Sequence, residues 1–237
     1  MLERAPYFRR MEALNLSGDA PWVGNLPVPM PLGVDEFVQQ AGDGVVVDTR
    51  DELGFGAAHV PDALSLWPGG LSNFAGWFLP YDKPLLLVNQ TDDPLPATRH
   101  LIRMGYDRLA GYLSGGVHAW VAAGRRSEAV ELVTVQDLCR DLDAGEENWI
   151  LDVRSAGELE SHGRIANAHH IHLTQLPAHL EEVPRERKIT IFCGSGRRSM
   201  IGASLLKRAG WGQVAVVLGG LAGWSSTTCP VEMDAYG

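Results

Sequence analysis

The sequence predicts an α/β fold built twice: two tandem domains, each a parallel sheet flanked by helices. Three observations lead there. Short continuous apolar runs, such as Val45-Val46-Val47 and Leu85-Leu86-Leu87-Val88, alternate with amphipathic segments, the pattern of strands buried on both faces. These runs recur later in the chain at a fixed distance. The chain has 237 residues, 45% of them hydrophobic, enough for two packed cores of roughly 100 residues each.

The recurrence sets the organisation. Val45-Val46-Val47-Asp48-Thr49-Arg50 returns 104 residues on as Trp149-Ile150-Leu151-Asp152-Val153-Arg154. Leu85 to Asn89 returns as Ile189 to Cys193 at the same offset, and Gly115-Gly116 with Trp120 returns as Gly219-Gly220 with Trp224. Met104-Gly105-Tyr106 pairs with Ala209-Gly210-Trp211 at 105. A period of this length is too long for a solenoid repeat of 20–50 residues and marks two copies of a whole domain.

In chain order, residues 1–30 read as an N-terminal linker or arm. Pro6 to Met11 begins like a short helix. The Pro-Val-Pro-Met-Pro run after Leu26 is extended, since each proline restricts itself and its predecessor. The first domain is expected over 31–127 and the second over 128–237. Each opens on an amphipathic helix, Gly33 to Ala41 or Thr134 to Ala144, and continues into a buried strand ending in Asp-x-Arg. A loop through His59 to Ala63, or Arg164 to Ala168, leads to a short edge strand. The apolar strand at 85–89 or 189–193 follows, then a helix near 96–104 or 198–209. A strand at 108–112 or 213–218, a Gly-Gly turn and a short helix carrying Trp120 or Trp224 close each copy. The first copy also carries an insertion, Ser65 to Pro80, whose Trp67, Trp77 and Phe78 are read as covering the cleft of the second copy or closing the core.

The chemistry concentrates in Cys193-Gly194-Ser195-Gly196-Arg197-Arg198-Ser199. Cys193 ends a strand and stands at the mouth of a helix, at the carboxyl edge of the sheet where α/β folds bind ligands. A helix N-terminus offers unpaired N–H groups and partial positive charge, and two arginines add full charges. Both favour thiolate and attract anions. Gly194 and Gly196 let the backbone curl so that its amides converge on the sulfur. A phosphate loop of the cysteine-phosphatase kind needs arginine after five intervening residues, and Ser199 holds that position here. With arginine one residue earlier, at Arg198, the loop is tighter and suits one sulfur atom.

With its flanking Asp152-Val153-Arg154 and Leu218 to Trp224 blocks and the duplication, this loop resembles the tandem rhodanese-like sulfurtransferases over about residues 32–230. The resemblance implies that Cys193 accepts a sulfane sulfur from an anionic donor, thiosulfate or a persulfide. It then passes the sulfur to a thiol or to cyanide, with Gly194, Ser195, Gly196, Arg197, Arg198 and Ser199 binding the substrate. It implies no cofactor and no metal. An alternative is a non-catalytic rhodanese-fold interaction module of a larger persulfide-metabolising protein. A third reading is the phosphatase. The first copy departs from the pattern: Asn89 replaces the cysteine, Gln90 to Pro94 lacks glycine and arginine, and Asp92 and Asp93 would repel an anion. That copy is expected to be catalytically silent. Pro6-Tyr7-Phe8-Arg9-Arg10-Met11-Glu12 with Asn15 is also similar to the stretch that joins a metallo-β-lactamase-fold domain to rhodanese domains in persulfide-dioxygenase-like fusion proteins. This implies such a domain upstream of the chain. The chain itself lacks that domain's His-x-His-x-Asp-His cluster.

The remaining residues read as structural. Asp48, Arg50, Asp152 and Arg154 occur in both copies, including the one without a thiol, and are expected to be internal ion pairs. His169, His170 and His172 have metal-like spacing without a cysteine or carboxylate cluster and are read as structural or surface groups. His162 is read in the same way, with a place lining the cleft as the alternative. Three cysteines, Cys139, Cys193 and Cys229, make no disulfide framework and fit a reducing compartment. Cys139 is expected in the core and Cys229 as a plain surface or packed thiol, with a relay role as the alternative. A net charge of −9 and a pI near 5.3 argue against a nucleic-acid surface. No run approaches the ~20 apolar residues of a membrane span. The expected location is cytoplasmic.

Overall fold

The computed structural model describes residues 4–18, 24, 26–146 and 148–233; the remainder of the expected arm and the last residues of the second domain lie outside them. The chain divides into two compact units. One comprises Met1–Gly54 and His59–Glu128, the other Phe55–Ala58 and Ala129–Gly237.

The first unit contains helix α1 (Tyr7–Ser17), strand β1 (Pro31–Leu32), α2 (Val34–Ala41), β2 (Val45–Asp48), the first half of α3 (Glu52–Ala57), β3 (Leu64–Ser65), α4 (Pro68–Phe78), β4 (Leu85–Val88), α5 (Leu95–Arg103), β5 (Leu109–Leu113) and α6 (Gly116–Ala122). Its strands form a five-stranded parallel sheet in the order β1-β5-β4-β2-β3. All residues of β2 and β4 are buried, as their unbroken apolar runs require. The arm's helix α1 belongs to this unit. A side chain at Gly76 would run into Tyr7, and Arg10 lies over the Tyr81 ring, which stacks on Tyr106. The insertion 65–80 is largely the helix α4. Its Pro68-Gly69-Gly70 start masks a helix in the sequence, and Trp67 packs against Gly70 and Phe74. Edge strand β1 lies within the proline-rich run read only as extended.

The second unit repeats the plan with β6 (Glu131–Thr134), α7 (Val135–Asp143), β7 (Trp149–Asp152), α8 (Ala156–His162), β8 (His169–His170), two 3₁₀ turns (Leu176–Ala178 and Leu180–Glu182), β9 (Ile189–Phe192), α9 (Arg197–Arg208), β10 (Val214–Leu218) and α10 (Gly220–Trp224). The sheet order, β6-β10-β9-β7-β8, is the same and all pairs are parallel. Thr134 and Asp137 form a capping box that starts α7, and Ser155 and Glu158 form another at α8. Helix α8 lies between the Asp-x-Arg strand and the expected loop at 164–168, in a stretch for which no helix was expected. The core of this unit joins Val135, Leu138 and Cys139 of α7 to Ile150, Ile165, Phe192, Val217 and Trp224. No helix among the described residues is long and apolar enough to cross a membrane.

Cys139 and Cys229 are bonded to each other, which corrects the reading of three separate thiols. The sequence separation of 90 residues hid the pairing. Helix α7 turns Cys139 inward, and the chain after α10 returns along that helix and places Cys229 on it. Cys193 is the free cysteine among the described residues.

Candidate active site

Strand β9 is buried along its whole length and delivers Cys193 at its carboxyl end. The side chain is 0% exposed, and its Sγ accepts a hydrogen bond from the Gly196 N–H at 3.1 Å. Gly196 is the N-cap of α9 with φ of 100°, a conformation that favours glycine. The tight return from Cys193 to the helix start sets the partial positive charge of a twelve-residue helix beside the sulfur.

A second turn holds this loop from outside. Cys193 O accepts from Leu221 N and Gly194 O from Ala222 N, both at 2.9 Å. A Cβ on Gly220 would stand 2.2 Å from Cys193 O, and φ there is 47°. At Gly220 this turn is therefore a backbone-to-backbone contact that admits no side chain.

Arg198 reaches across to Glu158. Nη1 donates to Oε2 and Nη2 to Oε1, each at 2.6 Å, a bidentate pair between α9 and α8. Oε2 of Glu158 also accepts from Ser155 N and Ser155 Oγ at 3.0 and 2.9 Å. The Arg198 hydrogen bonds, working against partial burial, hold the Glu158 carboxyl down at about 2. The guanidinium is held protonated above its ordinary range, first by Glu158 and, against burial, by the charge of Cys193. A Cβ on Gly194 would lie 2.9 Å from Arg198 Nη2, so glycine leaves room for the arginine. His172, hydrogen-bonded to Thr174 Oγ1 at 2.8 Å, is pushed down by burial and then by the Arg198 charge.

The structure sorts the sequence-predicted loop residues. Gly196 is buried with Cys193, Gly194 and Arg198 are half-buried, and Ser195 and Arg197 are exposed. Ser199 is 0% exposed, on the packed side of α9, with no recorded partner for its Oγ. Glu158 was missed. Its spacing from Ser155 marks a helix cap in the sequence, but nothing local announces an ion pair 40 residues away.

Asp152 and Arg154 form a buried pair, with Arg154 Nη2 donating to Oδ2 at 2.6 Å and to Gly163 O at 2.9 Å. Arg50 and Asp48 repeat it at 2.7 Å, and burial pushes Asp48 upward. The histidines have separate partners. His169 stacks on Trp149, His170 Nε2 meets Arg154 O at 2.7 Å, and His162 Nδ1 meets Glu158 O at 3.2 Å.

In the first unit Asn89 ends β4 as Cys193 ends β9. It is 8% exposed and accepts from Thr49 Oγ1 at 2.9 Å. It lines a cavity of about 290 Å³ with Arg50, Gln90, Asp92, Gly116 and His118. Asp92 Oδ1 accepts from Gly115 N at 2.8 Å, so a carboxylate stands at the position that Gly196 holds 104 residues later.

The rhodanese-like domain model matches residues 34–123 and again 134–227. A sulfurtransferase of Allochromatium vinosum is 28% identical over 102 residues, 43% of this chain and 94% of that protein. A rhodanese-related protein from Thermoplasma volcanium is similar at 29% identity, over 44% of this chain and 99% of that one, with a TM-score of 0.39. A rhodanese-like domain protein from Staphylococcus aureus is similar at 25% identity, over 44% of this chain and 99% of that one, with a TM-score of 0.40. With both halves matched by the family model, the chain belongs to the rhodanese-like domain family as a tandem pair.

Proposed function

We propose that the protein is a sulfurtransferase that carries sulfane sulfur on Cys193. The observation that carries this reading is the seat of the sulfur: the Gly196 N–H on Sγ at 3.1 Å, at the start of α9. The family and the sulfurtransferase name of the Allochromatium relative support it. In the first step the Cys193 thiolate attacks the outer sulfur of a donor such as thiosulfate. A new S–S bond forms, the donor's own S–S bond breaks, and sulfite leaves with the electron pair. In the second step a thiolate or cyanide attacks the outer sulfur of the Cys193 persulfide, and the Cys193 thiolate departs. This is nucleophilic catalysis in two displacements. The buried Sγ suits a group that is lengthened by one S–S bond, about 2.05 Å, before it meets its acceptor.

Glu158 fixes Arg198 beside Gly194 and so presents the cation as part of the loop wall. The first unit has no thiol at Asn89 and holds Asp92 at the equivalent mouth, so it takes no part in the covalent step. Mass spectrometry of the thiosulfate-treated protein tests the proposal. A gain of roughly 32 Da on the peptide carrying Cys193, removed by thiol or cyanide, is expected for a covalent persulfide. Folded protein that gains no sulfur from thiosulfate or from a glutathione persulfide, or gains it equally in Cys193→Ser, overturns it.

A further inference from the structure

We propose a second sulfur-based site in the second unit: in the reduced protein Cys139, Asp143 and Cys229 bind one zinc-class divalent cation. Helix α7 carries Cys139 and Asp143 at positions i and i+4, which places both on one face. The chain after α10 brings Cys229 onto that face. Asp143 Oδ2 lies 4.0 Å from Cys139 Sγ, and Oδ1 lies 3.7 Å from Cys229 Sγ. Metal–sulfur bonds of about 2.3 Å and metal–oxygen bonds of about 2.0 Å at a tetrahedral centre give a sulfur–oxygen edge near 3.5 Å. The carboxylate thus offers one oxygen to each sulfur within about half an ångström of that edge, and the two sulfurs, bonded to each other in the oxidised protein, must part to about 3.8 Å on reduction to complete the site. Two thiolates and one carboxylate suit zinc in charge and softness, and three protein ligands leave a fourth position.

That fourth position has room. A cavity of about 290 Å³ adjoins the cluster, lined by Gln136, Arg140, Ser226, Thr227 and Thr228 together with Cys139 and Asp143. Arg140 is turned to Asp137 by an ion pair within α7. Cys139 is buried in the core and Cys229 packs partly buried against it, so two ligands are fixed while the carboxylate faces solvent. The two sulfurs cannot be bonded to each other and hold a cation at once. A dithiol reductant must first supply two electrons and two protons to the Cys139–Cys229 bond, closing to its own disulfide. The two thiols then release their protons as the cation binds. Metal occupancy is thus tied to the redox state of this one pair.

The test uses the full chain in a Cys193→Ser background, in which Cys139 and Cys229 are the remaining cysteines. The protein is reduced with dithiothreitol, desalted without oxygen and titrated with Co²⁺. One equivalent is expected to produce a sulfur-to-cobalt charge-transfer band that Zn²⁺ abolishes, and the oxidised protein is expected to show none. Cys229→Ser removes the band. Asp143→Asn weakens binding by at least the ~10–100-fold that loss of an outer-shell partner costs. Circular dichroism establishes that each variant is folded. A reduced, folded protein without the band, or a band unchanged in Cys229→Ser, overturns the site.

Discussion

Replacing Glu158 by Gln removes one charge from the Arg198 clamp and keeps nearly the same shape. A glutamine oxygen can still accept from Ser155, so the cap of α8 survives and the ion pair is isolated. Two 2.6 Å hydrogen bonds to Arg198, first among the causes and joined by the bonds from Ser155, hold the Glu158 carboxyl from 4.5 down to about 2. Because the folded value is depressed, the stabilisation is fully present above the unfolded value and is lost as pH falls through the folded one. The upper bound is about 3 kcal/mol at neutral pH, at ~1.4 kcal/mol per pH unit. The carboxylate side is 30% exposed, and solvent screening brings this to about 1–2 kcal/mol. The difference between wild type and Glu158→Gln should be full above pH ~4.5, fall to about two-fifths of that at pH ~3, and vanish below pH ~2.

Urea unfolding read by tryptophan fluorescence at several pH values measures this difference. The transition displaced in the variant is that of the second unit, where the residue lies. Sulfur loading of Cys193 at pH 7, read by mass spectrometry, should slow about ten- to a hundredfold, because the guanidinium loses its fixed direction. A stability difference that stays constant between pH 7 and 3 refutes the ion pair as its source. Unaltered loading refutes the positioning role of Glu158.

Two further outcomes follow from the geometry. Asn89→Cys combined with Cys193→Ser should take up no sulfur from thiosulfate above the Cys193→Ser background, since Asp92 holds the equivalent mouth; a persulfide on the thiol introduced by Asn89→Cys, seen in the mass spectrum, would show that the loop is not needed. Gly220→Ala should destabilise the second unit by about 3 kcal/mol, because φ is 47° and the new Cβ would meet Cys193 O at 2.2 Å; a urea midpoint within error of wild type would refute the close contact.

The features legible in the sequence share a cause. The buried strands β2, β4, β7 and β9 are runs of apolar residues, and their repetition at 104 residues made the duplication visible before any pairing was known. The Cys193 loop is contiguous, so its glycines and cations could be read together. What stayed hidden was made by distant residues or by packing. Glu158 and Arg198 meet across 40 residues, and Cys139 and Cys229 across 90. Helix α4 starts Pro-Gly-Gly, against its propensity, and is held by burial of Leu71 and Ala75 and by Trp67 over Gly70. Strand β1 is two residues in a proline-rich run, paired to β5 only through Tyr112 and Leu113.

Comparing the copies residue by residue separates scaffold from chemistry. The Asp-x-Arg pair is the same in both, at 2.7 and 2.6 Å, although only one copy has a thiol. The pair is therefore a feature of the sheet's carboxyl edge that both copies share. The helix caps also correspond: Ser155 caps α8, and Asp51, 104 residues earlier, accepts from Gly54 N at 2.7 Å. Gly220 has its counterpart in Gly116, again at positive φ. At the same offset, the partners of the clamp are Gly54 for Glu158 and Pro94 for Arg198, and Asp92 stands for Gly196. Thiol, cradle glycine, arginine and the acid that aims it are thus all missing from the first copy, while these scaffold contacts persist. An acid retained at position 54 without an arginine at 94 would have lacked its partner across the helices. The joint difference at 54 and 94 indicates that Glu158 and Arg198 act as one unit, which is the premise that the Glu158→Gln experiment puts at risk.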